Sequence, residues 1–327
     1  MRLDNLKGLL WGAAVGDALG SPHEFRTGTP LNRYTGRLEY PVVAQSRWQG
    51  RRIGVVGQIS DDTEMMIALA DVLRICWRYE AERAAMLYLD WANSGCPFMG
   101  TNTRELFHGV KTLRGYESRH QKKLTSLETP SLSNGCLMRC GPLAALGEID
   151  AVEAARLDCK LTNPHPICVD ACQVFIRAAC RLGQGEDPLN VRAAAPEWAE
   201  TADVRMILAT AADDDAAERD VTGALKGYIL HALWCAFRSL KVLEETLTFE
   251  DTIDWVIRRG GDTDTNACIA GVLLGASLGY EVLSSEERTG ENIRIARAAD
   301  PSRGSLDRPR NYWASRIDGL AEALAII

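Results

Sequence analysis

The 327-residue sequence predicts an all-α fold, a single compact domain of many helices spanning 1–327. Three observations carry that expectation. Apolar residues recur at helical spacing through most of the chain, and alternating strand patterns are scarce. Two acidic knots, Ser60-Asp61-Asp62-Thr63 and Gly260-Gly261-Asp262-Thr263-Asp264-Thr265, each open a long apolar helical stretch. They lie about 200 residues apart, and a shared purpose requires one domain to bring them together. A hydrophobic share of 46% suffices for a sizeable core, and 25% charged residues is ordinary for a soluble protein. The net charge of −7, without a lysine- or arginine-rich stripe, argues against nucleic acid as the main partner.

The first element reads as a helix over 3–20 with Gly8, Gly12, Gly16 and Gly20 at four-residue intervals. Each glycine costs a helix up to ~1 kcal/mol against alanine, so four on one face imply that another helix backbone approaches closely. The apolar run within it is short and flanked by Asp4 and Asp17, unlike a signal-peptide core. No other stretch reaches the ~18 uncharged apolar residues of a membrane span, so a soluble, cytoplasmic protein is expected. Residues 21–59 lack helical periodicity and contain Pro22, Pro30 and Pro41; they read as a long loop. Any strand content is expected there, as a short hairpin near Ile53 to Ile59.

Helices are then expected at about 62–79, 81–93, 102–115, 136–146, 149–159 and 167–182. Further ones follow at about 189–199, 203–211, 218–243, 249–259 and 265–279. Residues 283–310 are polar and carry six arginines, among them Arg288, Arg297 and Arg308. They read as an irregular insertion, either a substrate-facing lid or a solvated excursion, before a last helix at about 311–326. The ten cysteines form no CxxC pair or zinc-type Cys/His grid. Cys136 and Cys140, like Cys168 and Cys172, sit four apart, as buried thiols on one helical face would, so they are read as reduced core residues, with disulfide or metal roles as the alternative.

The knots carry the chemistry. Two carboxylates at roughly 4 Å, with an effective dielectric near ~20, repel by on the order of 4 kcal/mol. Such a cluster stays protonated, stays solvated or holds cations. Oxygen-only ligands point to hard divalent ions, Mg²⁺ or Mn²⁺, and two knots together offer oxygens for two of them. That arrangement suits metal-assisted hydrolysis. The alternative is that Ser60 and Asp262 are ordinary helix caps and the other acids decorate first turns. Beyond the knots, Glu24 stands just past the first helix, and Ser133 to Arg139 runs from a turn into a helix whose amides could receive a diphosphate. Thr162-Asn163-Pro164-His165-Pro166 is a stiff turn, and neither a P-loop nor a G-x-G-x-x-G is present.

Taken in order, GDALG at 16–20 with Glu24, SDDT at 60–63, NG-x-x-MR at 134–139 and GGDTDT at 260–265 resemble the ADP-ribosylglycohydrolase family. The likeness spans roughly residues 6–280. It implies an all-α fold with a binuclear Mg²⁺ or Mn²⁺ centre that removes ADP-ribose from proteins or small acceptors. Carried over, it makes Ser60, Asp61, Asp62, Asp262, Asp264 and Thr265 metal ligands, with Asp264 bridging the ions. Glu24 becomes a mobile acid, and Glu24, Asp61 and Asp264 the catalytic group. Asn134, Gly135, Met138, Asn163 and Gly100 become the substrate-binding set, with His165 either a further polar contact or a capping or solvent-facing residue.

Two positions depart from the family pattern. Asn163 replaces a histidine, and Phe98 replaces an acid two residues before Gly100, which bears on substrate more than on chemistry. The resemblance implies an ADP-ribosylated protein as partner, with arginine linkage favoured. A free ADP-ribose derivative, or an immunity-type role neutralising an ADP-ribosylating toxin, are the alternatives.

Overall fold

The computed structural model describes residues 1–25, 33–41, 54–126, 130–304 and 307–327. The first helices are α1 (Leu3–Gly20), α2 (Asp61–Cys76), α3 (Ala81–Ala92), α4 (Thr101–Phe107) and α5 (Leu113–Leu124). They are followed by α6 (Glu148–Cys159), α7 (Pro166–Gly183), α8 (Pro188–Trp198), α9 (Ala202–Ala212) and α10 (Ile229–Thr246). The last are α11 (Phe249–Arg258), α12 (Thr263–Leu278), α13 (Tyr280–Ser285), α14 (Glu287–Ala298) and α15 (Ile317–Leu324). Among the described residues the only β-type pairing is an isolated bridge, Ser133 to Tyr228. The fold is all-α, as expected.

The glycine strip positions everything else. Helix α1 is buried along almost its whole length and runs antiparallel to α12. Gly8 meets Gly275 and Gly279, Gly12 meets Gly271, Gly16 meets Ala267, and Gly20 meets Thr263 and Asp264. A β-carbon at any of these four would overlap the facing backbone. The antiparallel sense sets the C-terminal end of α1 against the N-terminal end of α12, where the second knot lies. Thr263 Oγ1 seals that end by donating to the Gly20 carbonyl at 2.8 Å.

Several expected boundaries are corrected. The helix at 102–115 is two, α4 and α5, separated near Gly109, which takes a left-handed φ of 74°. The helix at 136–146 is replaced by 3-10 segments at Asn134–Cys136 and Gly141–Leu146. Pro142 disfavours the α conformation before it and removes an amide donor. The helix at 218–243 begins only at Ile229, since Gly223 adopts a φ of 79° and interrupts the approach. The expected hairpin falls partly outside the described residues, and Gly54 to Ile59 contain no strand.

The 283–310 insertion is also corrected. It is helical through α13 and α14 and docked, because its arginines find carboxylates on the body. Arg288 pairs with Asp254 at 2.7 Å and with Asp251 at 3.0 Å, and Arg297 with Asp318 at 2.8 Å. Arg308 is 1% exposed, donates to both Glu64 oxygens at 2.8 and 2.6 Å, and shares them with Trp91 Nε1. Glu64 lies in the first turn of α2, so the insertion braces the helix that bears the first knot. Among the described residues no helix is long and apolar enough to cross a membrane.

Candidate functional site

Helix α2 starts at the first knot because Asp17 holds it there. The Asp17 carboxylate accepts from Ser60 N at 3.0 Å, Thr63 N at 3.2 Å and Thr63 Oγ1 at 2.6 Å. Those amides are the ones a helix N-terminus leaves unsatisfied. Ser60 caps the same turn, accepting from Asp62 N at 3.4 Å and donating to Asp62 Oδ2 at 3.0 Å. Asp62 Oδ1 is buried without a hydrogen-bond partner.

The second knot depends on two left-handed glycines, Gly260 and Gly261, with φ of 75° and 74°. A β-carbon at Gly261 would also strike the Val221 carbonyl. Phe25 N donates to Gly261 O at 2.8 Å, which ties the Glu24 turn to this knot. Asn134 Nδ2 donates to Asp262 Oδ2 at 2.8 Å, and Thr265 N to Asp264 Oδ1 at 2.9 Å.

The two knots therefore meet. Carboxylate oxygens of Asp17, Asp62 and Asp264 lie within 4.8 Å of one another, and so do those of Glu24, Asp262 and Asp264. Asp264 belongs to both groups. Burial first, and then mutual repulsion, pushes Asp61, Asp62, Asp264 and Glu24 well above the ordinary carboxylate range. Burial also raises Asp17, to about 6, against the pull of its four hydrogen bonds. Asp262 rises for the same first reason, moderated by Asn134 and by Lys226. Six carboxylates thus converge, with Lys226 the lysine that lowers Glu24 and Asp262. Hard oxygen donors, an excess of negative charge and the unpartnered Asp62 Oδ1 fit divalent cations.

This electrostatics has a consequence for stability. A carboxyl whose pKa is raised by folding adds stability below its unfolded value near ~4 and loses it as pH rises through the folded value. Chelator-treated protein should therefore melt at a lower temperature at roughly pH 8 than at roughly pH 5, and a saturating divalent cation should remove most of the difference. Melting curves at both pH values, with and without the cation, check this; a metal-free protein more stable at the higher pH would contradict it.

A cleft of ≈ 720 Å³ opens over the acids, lined by Glu24, Asp61, Asp62, Asp262, Asp264 and Thr265. Gly100, Asn134, Gly135 and Met138, all expected substrate contacts, line it too, as does Phe98. Three expected site residues do not line it. Ser60 is fully buried beneath Asp62. Asn163 is fully buried and turned to the neighbouring loop, donating to Ser131 O at 3.2 Å and Ser133 O at 3.1 Å. His165 caps α7, its Nδ1 accepting from Ile167 N at 3.2 Å.

Sequence reasoning missed Asp17, Lys226 and the Glu64–Arg308 pair. A signal existed for Asp17, an acid in the apolar, glycine-rich C-terminal half of α1. Lys226, whose ammonium sits 3.7 Å from the Phe25 ring centroid, follows an unremarkable turn and has none.

The site is thus an acid centre at two helix N-termini beneath a cleft, the type a hydrolase with hard metal ions would use. The chain belongs to the ADP-ribosylglycohydrolase family, whose profile matches residues 1–306; its members are enzymes that hydrolyse the glycosidic bonds of ADP-ribose. It is 26% identical over 286 residues to the ADP-ribosyl-(dinitrogen reductase) glycohydrolase of Rhodospirillum rubrum, covering 86% of this chain and 88% of that one. It is 23% identical over 301 residues to the ADP-ribosylarginine hydrolase Tri1 of Pseudomonas putida (strain GB-1), covering 87% and 73%. A solved structure titled "ADP-ribosylglycohydrolase-related protein complex" shares the fold, with TM-score 0.70, 22% identity and coverage of 99% and 98%.

Proposed function

We propose that this protein removes ADP-ribose from modified protein side chains, with arginine-linked ADP-ribose as its substrate, at a binuclear Mg²⁺ or Mn²⁺ centre. The observation that carries the reading is the membership of Asp264 in both oxygen clusters, which suits a carboxylate shared between two ions. Asp61, Asp62, Asp262, Asp264, Ser60 and Thr265 would hold the ions. Once bound, such ions neutralise the carboxylates, fix the ribose hydroxyls and lower the pKa of water.

The protein's own groups supply the rest. In the metal-free site, burial and then Asp262 and Asp61 raise Glu24 well above the usual carboxylate range, which suits an acid–base group. Glu24 is then a suitable donor to the nitrogen that leaves the ribose, and afterwards a base. Asn134, Gly135, Met138 and Gly100 would form a wall for the ADP-ribose, and Asn163 supports it from behind through Ser131 and Ser133. Glu105 at the cleft is already paired with Lys123 at 2.7 Å, so the acids left to attract a cationic guanidinium acceptor are those of the two knots and Glu24. The arginine linkage is supported by the relative named an ADP-ribosylarginine hydrolase.

Glu24→Gln separates the acid–base role from metal holding. Turnover is expected to fall by ~10²–10⁴-fold, while ADP-ribose affinity and metal content stay near wild type. Single-turnover release kinetics beside a binding titration check this. The reading as a whole is tested with arginine-linked and serine-linked ADP-ribosylated proteins, each with Mg²⁺ and with Mn²⁺. Metal-dependent release from the arginine-linked protein is expected; no release from either linkage with either ion overturns it.

A further inference from the structure

We propose that Cys136, Cys159 and Cys172 form a second metal site, lined by sulfur and suited to a thiophilic d¹⁰ cation of the Zn²⁺ or Cd²⁺ class. Their sulfur atoms all lie within 4.8 Å of one another, and each residue is at most 1% exposed. Three elements contribute them: the 3-10 turn Asn134–Cys136, the last residue of α6, and the second turn of α7. A metal–sulfur bond of ~2.3 Å sets three ligand sulfurs roughly 3.8–4.0 Å apart, so the trio needs only a small contraction. Cys168 and Cys140 flank it, each within hydrogen-bonding reach of a member, and either could fill a fourth position.

A buried cation stands beside the trio. Arg139 is fully buried and fixed beside the turn, donating to Gly135 O at 2.8 Å and to Asp158 at 2.8 Å. Loading breaks three S–H bonds, forms three metal–sulfur bonds and releases three protons to solvent. The Cys159 thiol gives up its donation to Asn163 O. Soft sulfur and hard carboxylate sort cations between the two sites, so the thiols do not compete with the acid cluster for Mg²⁺ or Mn²⁺. Cys136 directly follows Gly135, so the ion would pin the cleft wall to α6 and α7. The site does not depend on the hydrolytic reading.

The test is a Cd²⁺ titration of the reduced full-length protein in millimolar Mg²⁺, read by thiolate-to-cadmium ultraviolet absorption, proton release and far-ultraviolet circular dichroism. One equivalent with three protons released and an unchanged helical spectrum is expected. Cys159→Ala and Cys172→Ala should each weaken binding beyond the roughly 10–100-fold that loss of an outer partner costs. Cys235→Ala, a buried cysteine elsewhere, should leave it intact. No absorption band in the wild type at one equivalent overturns the proposal. So does a band that appears only as helix is lost, or one that survives both trio variants.

Discussion

Asp264→Asn should lower ADP-ribose release by on the order of 10³-fold or more, with the helical fold preserved. Asp264 is 5% exposed and is the residue common to both oxygen clusters. The substitution keeps the side chain's size and removes one charge. On the proposed reading, a carboxylate shared by two ions becomes a neutral amide with one acceptor oxygen, and a loss of about 4 kcal/mol of transition-state stabilisation corresponds to ~10³-fold in rate. Metal-free stability should move the other way. The acids repel in the absence of cations, so deleting one charge raises the melting temperature of the chelated protein. Initial-rate assays and paired melting curves read both effects; wild-type turnover in the variant would contradict the assignment.

Gly12→Val should destabilise the protein by about 3 kcal/mol or more, lowering its melting temperature by roughly 5–10 °C. A side chain at Gly12 meets the backbone of Gly271 and Gly275, which cannot rotate aside, so α1 and α12 must separate. Separation also draws Asp17 and Glu24 from Asp262 and Asp264, so activity should fall faster than stability. Gly319 gives the control. It lies in α15 with no atom within 4 Å of a built β-carbon, and Gly319→Ala should stabilise by ~0.5–1 kcal/mol through helix propensity. Denaturant unfolding of both variants measures the contrast; equal effects would mean that the strip is not a packing device.

These two cases show how much was legible. The knots and the glycine strip carry local chemistry that a chain must explain, adjacent carboxylates in one case and missing side chains in the other. Both pointed correctly to a convergent all-α fold. The identity of the answering helix was not legible, because Ala267, Gly271 and Gly275 read as ordinary small residues until they face α1. Arg308 reads as a solvated arginine because its partner Glu64 lies 244 residues away and leaves no pattern around either residue. Asp17 was visible as an oddity, but its partners are the backbone amides of another helix. Likeness alone puts Asn163 in the cleft, while His165 reads either as a polar contact or as a cap. Their side chains hold the loop and cap the helix behind it, roles set by local turn geometry.

Calorimetric titration of chelator-treated protein with Mn²⁺ bears most directly on whether the joined knots are a binuclear centre. Two equivalents should bind to the wild type and at most one to Asp264→Asn. No binding to the wild type, or two equivalents to the variant, would contradict it.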